Sequence, residues 1–331
     1  MKIFYIYFLI LILPLVLKSD ELEKVKSEKE LFNQNFIDEI KVLCKSKLFY
    51  KNLKSHKTYP KFGTVNKWKN VCSKLAVNAL PLHDFFRINF SFYRENKSAN
   101  GLLTGYYEPE IEISTKRNSE FKFPILKKRN SLNLEREKIL KSYSYDDVLY
   151  WTNDDVDLFF LQIQGSGLGR LPNGKLVKLI YGGNNGYEYA SIGKILINKG
   201  FLKKEQISLF SIKAWLRSNP KKKQKILFMN KRYIFFKKSK FDGKFAVGAM
   251  GSELIPNLSI AVDKNFYPLG IPMLLNIEKG SEKMVAITHD TGSAIKGKNR
   301  ADLYLGKGNK AEKVAGNLKK TLQLFVFVPY N

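Results

Sequence analysis

Near its C-terminus the chain reads His289-Asp290-Thr291-Gly292-Ser293-Ala294-Ile295-Lys296-Gly297 and, two residues on, Arg300-Ala301-Asp302-Leu303-Tyr304-Leu305-Gly306. Two carboxylates thus lie twelve positions apart among glycines. Glycine-rich turns let a backbone approach a ligand closely. Asp302, flanked by apolar Ala301 and Leu303, is placed to have its pKa raised by desolvation, as a general acid requires. The competing reading is that both aspartates cap turns or helices, which is what Asp beside Gly commonly does.

Composition bounds the rest. At 331 residues the chain exceeds what one core usually serves, so two domains are expected. With 44% hydrophobic and 13% aromatic residues it is not a disordered chain. A formal charge of +27 suits nucleic acid, anionic lipid or an anionic wall polymer, although lysines spread among so much Ile, Asn and Phe also fit a coding bias. The first twenty residues narrow the compartment: Lys2 precedes an apolar run over 3–17, and Lys18-Ser19-Asp20-Glu21 follows. That is an export signal, and the run falls short of the roughly 20 apolar residues of a spanning helix. A cleaved signal peptide is favoured over an anchor, with no clean small-x-small site and no Cys directly after the run to suggest a lipoprotein. Cys44 and Cys72 are the only cysteines, and a disulfide or two buried thiols both remain open. His56, His83 and His289 are scattered without zinc-type spacing, so no metal or other cofactor is expected.

Periodicity predicts a helix, and a long one, over 21–53, a second over 68–80 ending at Pro81, and a strand from Gly101 that runs into an exposed turn near Pro109. Residues 156–164 read as a strand, followed by Gly165-Ser166-Gly167-Leu168-Gly169 and a hairpin turn at Pro172-Asn173-Gly174-Lys175. No Walker-type Gly-Lys-Ser/Thr or Gly-x-Ser-x-Gly elbow accompanies these glycines, which leaves a structural hairpin or a ligand-facing loop of Gln164 and Ser166. Helices are predicted over 187–198 and 207–217, then a strand over 233–236. Short strands over 246–249, 258–262, 273–277, 284–288 and 322–327, with one helix near 311–320, suggest a small β-barrel.

Six blocks, taken in order, resemble the membrane-bound lytic murein transglycosylase A family. They are Thr104-Gly105-Tyr106-Tyr107-x-Pro109; Gln162-x-Gln164-Gly165-Ser166-Gly167; Tyr181-x-Gly183-x-Asn185-Gly186 with Tyr189, Ser191, Ile192 and Gly193; Asn230-x-x-Tyr233-x-Phe235-Phe236; Ala261-Val262-Asp263 with Pro268-x-Gly270; and Asp290-x-Gly292-x-Ala294-Ile295-x-Gly297 with Ala301-Asp302 and Gly306. The resemblance implies a mainly β fold with helices: a double-psi β-barrel domain, a second, smaller β-rich inserted domain, and an N-terminal helical region. The implied division is 1–20 signal or anchor, 21–108 helical region and first barrel part, 109–240 insert, and 241–331 the rest of the barrel with the aspartates. The implied activity is a peptidoglycan lyase that leaves a 1,6-anhydromuramoyl end, with Asp302 as acid and then base and Asp290 and Asp263 as the other members of an aspartate trio. The reverse order of Asp290 and Asp302 stays open. Thr104, Tyr106, Tyr107, Gln164, Ser166, Asn185, Gly292 and Ala294 match motifs lining the family's glycan groove, and strand alternation makes one of Tyr106 and Tyr107 a core residue.

The implied partners are peptidoglycan glycan strands and other cell-wall enzymes, with no nucleic acid, acting as a monomer in the periplasm of a Gram-negative bacterium. Membrane attachment would run through the N-terminal segment, and Ser293 stands where the family often has Gly. Two other readings compete. Asp290-Thr291-Gly292-Ser293 is also an aspartic-protease string, but those enzymes need two and the chain has one. A non-catalytic wall-binding module would keep its grip when Asp302 is replaced.

Overall fold

Four helices lead the described chain, each amphipathic and each pressing its apolar face onto one barrel: α1 (Gln34–Lys45), α2 (Lys47–Ser55), α3 (Val65–Ala76) and α4 (Leu82–Asn89). The computed structural model describes residues 31–94, 101–128, 133–280 and 282–330. The export segment and the start of the long helix expected from residue 21 lie outside them. Within them that helix is two: Ser46 leaves helical geometry, and its hydroxyl caps α2 by accepting from the Phe49 amide.

The barrel begins with β1 (Phe90–Tyr93) and β2 (Gly101–Glu108). An excursion follows, comprising β3 (Glu110–Ser114), β4 (Phe123–Leu126), α5 (Arg136–Ser142), β5 (Val148–Thr152), α6 (Asp155–Gln164), β6 (Gly167–Arg170), β7 (Leu176–Asn184), α7 (Ile192–Asn198), α8 (Leu209–Ser218), α9 (Pro220–Phe228) and β8 (Ile234–Lys240). The chain then returns through β9 (Ser259–Val262), β10 (Pro272–Ile277), β11 (Glu282–Thr291), β12 (Arg300–Lys307), α10 (Gly308–Asn317) and β13 (Lys319–Pro329). Strands β13-β10-β11-β9-β12-β2 pair in that order, and β2 pairs back onto β13, which closes six strands with β1 outside β13. The β9–β11 and β2–β12 pairs are parallel and the others antiparallel. This is the barrel expected from the sequence. The excursion forms its own sheet in the order β4-β5-β3-β6-β7-β8, with Pro109 alone separating β2 from β3.

One core serves the barrel and the N-terminal helices. Phe36, Phe86, Phe90 and Phe327 are all but inaccessible and touch ring to ring, with Phe86 and Phe90 stacked at 5.3 Å. Each buried phenylalanine contributes about 2–3 kcal/mol of transfer free energy, so the helices are part of the barrel's stability. A Cys44–Cys72 disulfide ties α1 to α3.

The excursion returns where Glu108, 3% exposed, accepts from the Ala246 amide at 3.1 Å and the Tyr304 hydroxyl at 2.9 Å. One carboxylate therefore fastens the outgoing and incoming chain to β12. On another side Lys213 of α8 bonds to Asp157 of α6 at 2.9 Å and Glu312 of α10 at 2.6 Å, joining excursion to barrel. Gly105 allows α10 to lie on β2, since a Cβ there would meet Leu305 Cδ1 at 2.6 Å and Ala315 Cα at 3.0 Å.

Three local expectations are corrected. Residues 156–164 are helical, not a strand: Asp154 caps by accepting from the Val156 and Asp157 amides, and Gly165 ends the helix in the left-handed region at φ 86°. Its apolar residues are buried on several sides, which erased the helical period. Residues 246–249 form no strand, only a bridge between Val247 and Glu253. Residues 187–191 are not helical, because Ser191 caps α7 at Ile192.

Linking residues 28 apart lowers unfolded-chain entropy by an amount worth about 3–4 kcal/mol. Replacing Cys44 and Cys72 together by serine is expected to lower the urea midpoint accordingly. An unchanged midpoint would show that the helices hold without the bond.

Candidate active site

Asp290 and Asp302 both register with Ala261, one from each side of β9. Two strand spacings therefore separate their backbones, roughly 10 Å. On the far side of β12, Thr104 of β2 registers with Asp302, giving one row Asp290–Ala261–Asp302–Thr104 across four strands. Alternation along β12 sends Ala301 and Leu303 into the main core and leaves Asp302 on the opposite face, partly exposed.

Asp290 joins this row through a bulge. Thr288 pairs with Ile260 and Asp290 with Ala261, so His289 is an extra residue with no partner on β9. Without it, Asp290 would fall opposite Val262 and turn to the other face. His289 is fully buried: Nδ1 lies 2.8 Å from Ser259 Oγ, Nε2 lies 3.3 Å from Glu39 Oε1 of α1, and its carbonyl accepts from the Met250 amide at 2.9 Å. A helix outside the barrel thus helps to seat the bulge that aims Asp290.

The two carboxyls have different surroundings. Asp290 Oδ1 accepts from the Ala249 amide at 2.9 Å and the Thr291 amide at 2.8 Å, while Oδ2 accepts from the Tyr106 hydroxyl at 3.1 Å. Burial raises its pKa and these three donors pull it back. Asp302 Oδ1 accepts from the Thr104 hydroxyl, which in turn accepts from Arg300 Nη2 at 2.7 Å. Asp302 Oδ2 has no hydrogen-bond partner among the described residues. Burial raises the Asp302 pKa most, the Arg300 charge and the Thr104 bond oppose it, and the Asp290 charge adds to it. Two residues along the same face, Tyr106 and Tyr304 register side by side with ring centroids 5.3 Å apart.

The remaining expected residues divide. Thr104 and Tyr106 touch the aspartates directly, whereas Tyr107, 3% exposed, faces Ala311 and Ala315 of α10 and is the core member of the pair. Gln164 Oε1 accepts from the Tyr107 amide at 3.3 Å, and Ser166 is half-buried in the glycine loop beyond it. That loop needs its glycine, because a Cβ on Gly167 would come within 2.5 Å of the Pro109 carbonyl. Gly292 lets the chain turn after β11, its carbonyl accepting from the Ile295 amide, and Ala294 is exposed on that turn.

One expected groove residue is placed elsewhere. Asn185 is buried, and its carboxamide is spent on the Leu134 and Lys231 carbonyls and the Tyr233 amide. It belongs to an inner polar hub with Arg136, which reaches Gln162 Oε1 and the Asn230 and Arg232 carbonyls and whose pKa burial pulls down to about 10. Asp263, 4% exposed, accepts from the Asn265 amide at 3.0 Å and the Gly297 amide at 2.8 Å, so it fastens the loop between Asp290 and Asp302 rather than offering itself to a ligand. Sequence reasoning missed Arg300, although the unusual Arg two residues before Asp302 was a signal, and the amide of Ala249, for which there was none.

Comparison with known proteins identifies the family. Residues 129–237 match the MltA specific insert domain and residues 258–328 match the 3D domain. The membrane-bound lytic murein transglycosylase A homolog of Buchnera aphidicola is 30% identical over 89% of this chain and 82% of its own length. The chain belongs to the membrane-bound lytic murein transglycosylase A family. Its relative from Vibrio cholerae is 32% identical over 68% of this chain and 64% of that protein. Among solved structures of the family, Escherichia coli MltA with bound chitohexaose aligns at TM-score 0.71 with 26% identity, covering 85% of this chain and 88% of that one. A transglycosylase from Agrobacterium tumefaciens shares the fold at TM-score 0.76 and 22% identity, covering 89% and 92%.

Because burial raises the native pKa of Asp302, folding favours its protonated form. That contribution is complete below the unfolded value, about 3.9, and is lost as pH rises through the native one. Asp302→Asn, a permanently neutral analogue, is expected to melt a few degrees above wild type at pH 7, with the gap closing towards pH 4 in paired thermal scans. A variant less stable than wild type at pH 7 would contradict the burial assignment.

Proposed function

We propose that this transglycosylase cleaves the β-1,4 bond between N-acetylmuramic acid and N-acetylglucosamine in peptidoglycan, leaving a 1,6-anhydromuramoyl end. The observation that carries the reading is a single half-buried carboxyl, Asp302, with one oxygen unspent and a pKa held above the ordinary aspartate value. A hydrolase normally needs a second carboxylate free to activate water or to attack carbon. Asp290 is less suited to that task, since two amides occupy its Oδ1 and the Tyr106 hydroxyl donates to its Oδ2, which lowers the basicity of both oxygens. Attack by the C6 hydroxyl of the muramoyl ring removes the need, because that nucleophile is tethered at high effective concentration.

Asp302 would begin protonated. Its Oδ2 gives the proton to the glycosidic oxygen as the C1–O4 bond breaks, and the resulting carboxylate takes the proton of the C6 hydroxyl as C6–O closes on C1. Thr104, held by Arg300, stabilises the carboxylate formed between those steps. Asp290, whose oxygens accept from two amides and the Tyr106 hydroxyl, raises the Asp302 pKa through its charge when ionised and would then face the positive charge that develops at C1.

The proposal extends to the whole chain: residues 1–20 direct export to the envelope of a Gram-negative bacterium, 21–108 and 241–331 build the barrel domain, and 109–240 form the glycan-gripping insert of a monomer. Family members described as membrane-bound support the envelope location. None of the described helices is long and apolar enough to cross a membrane.

Mass spectrometry of glycan ends after digestion of purified peptidoglycan tests the reading. Wild type is expected to yield anhydro ends, and Asp302→Asn to lose on the order of 10²–10⁴-fold in rate. Wild-type products heavier by one water would make it a hydrolase, and equal rates in the mutant would remove Asp302 from the chemistry.

A further inference from the structure

The most exposed aromatic ring among the described residues is not near the aspartates. Tyr145, 62% exposed, stands at the far end of the excursion sheet beside a cavity of about 590 Å³ lined by Thr115, Lys116, Arg117, Asn118, Tyr145 and Trp151. Trp151 registers with Ser114, the last residue of β3. With about 3.3 Å per strand residue, five residues of β3 put this patch on the order of 15 Å beyond Pro109, where the chain leaves the catalytic barrel.

The patch is organised. Tyr145 packs on Trp151 with centroids 5.4 Å apart, and Tyr143 lies 6.2 Å from Trp151 and 6.3 Å from Tyr145, completing a three-ring cluster. Arg117 donates from Nη1 to the Tyr145 hydroxyl at 3.1 Å while its guanidinium sits 5.6 Å over the Trp151 ring. The Ser144 hydroxyl accepts from the Asp146 amide and fixes the turn that carries Tyr145. A large ring held in one orientation yet left in water has already lost the rotamer freedom that binding would otherwise cost. Neither Lys116 nor Arg117 is paired with a carboxylate among the described residues, so two cations face the cavity beside an open aromatic face.

We propose that this cleft is a second binding site, remote from the catalytic row, for an anionic saccharide: Tyr145 stacks on a pyranose face while Lys116 and Arg117 take carboxylates carried by the sugar or its stem peptide. The proposal rests on the peptidoglycan reading, since a polymer carrying both groups is then what the protein meets. Its consequence is processive or anchored contact with the wall: a strand is gripped at the insert while another stretch of the same polymer lies at Asp302.

Two substrates separate this site from the catalytic one. A short soluble glycan, an alternating tetrasaccharide without stem peptides, reports on the catalytic row alone. Insoluble sacculi report on both. Tyr145→Ala and Arg117→Gln are expected to turn over the tetrasaccharide within about twofold of wild type, which also shows that they fold, while binding to sacculi in an Asp302→Asn background weakens about tenfold, as loss of one stacking or cationic contact predicts. The share of sacculus binding that Tyr145→Ala removes should be competed by a soluble disaccharide-peptide and not by neutral chitohexaose, which acts only on the share held at the catalytic groove. Wild-type binding to sacculi by both variants would overturn the second site, and equal competition by chitohexaose would overturn its anionic preference. Failure of the wild type to turn over the tetrasaccharide would count against the catalytic reading instead, and sacculus binding would still test the cleft.

Discussion

Everything at the site depends on strand register across β11, β9, β12 and β2. Ala261, a residue too small to intervene, stands between Asp290 and Asp302, and Thr104 closes the row. A one-residue slip of β11 or β12 would send a carboxyl into the hydrophobic core, and a slip of β2 would take Thr104 away from Asp302. The barrel is therefore a device for holding two acids at a fixed separation on one face, with Ala301 and Leu303 on the other face supplying the burial that enforces the register.

Holding them is not enough, since two acids in one environment would titrate alike. Burial raises both, and the structure surrounds them with different donors: three for Asp290, against a threonine hydroxyl and the nearby Arg300 for Asp302. Beyond the adjacent Thr291 amide and Arg300, the donors come from distant parts of the chain. Ala249 follows the return from the excursion, Tyr106 and Thr104 precede it, and the bulge at His289 is seated against Glu39 of the leading helix. The excursion can thus be large without disturbing the site, because Glu108 fastens both its ends to β12 through Ala246 and Tyr304.

How much of this was legible in the sequence follows from the range of the interactions involved. Asp302 between Ala301 and Leu303 announces alternation and burial within three residues, and the glycines after Asp290 announce a turn, so both acids could be named. Strands β9, β10, β11 and β13 were visible as short apolar runs and β2 as the run from Gly101, whereas β1 and β12, the strand that carries Asp302, were not predicted. What the sequence concealed was non-local. The apolar run of α6 is buried on several sides and carries no period, although Asp154 and Gly165 were cap signals at its ends. Asn185 and Asp263 sit in motif blocks but act as internal fasteners, because motif matching records that a polar residue is required without saying whether backbone or ligand requires it. The bulge at His289 could not be read at all, since it exists only relative to β9.

The central claim is that the fold raises the Asp302 pKa by burial and that the charge of Asp290 adds to the rise. Carbon-13 NMR titration of the aspartate carboxyls in the intact protein, with Asp302→Asn and Asp290→Asn used for assignment, measures this directly. The account predicts that Asp302 titrates above the ordinary aspartate range and that its value falls when Asp290 is made neutral. An Asp302 carboxyl that titrates at or below the ordinary value, indifferent to Asp290, would contradict it.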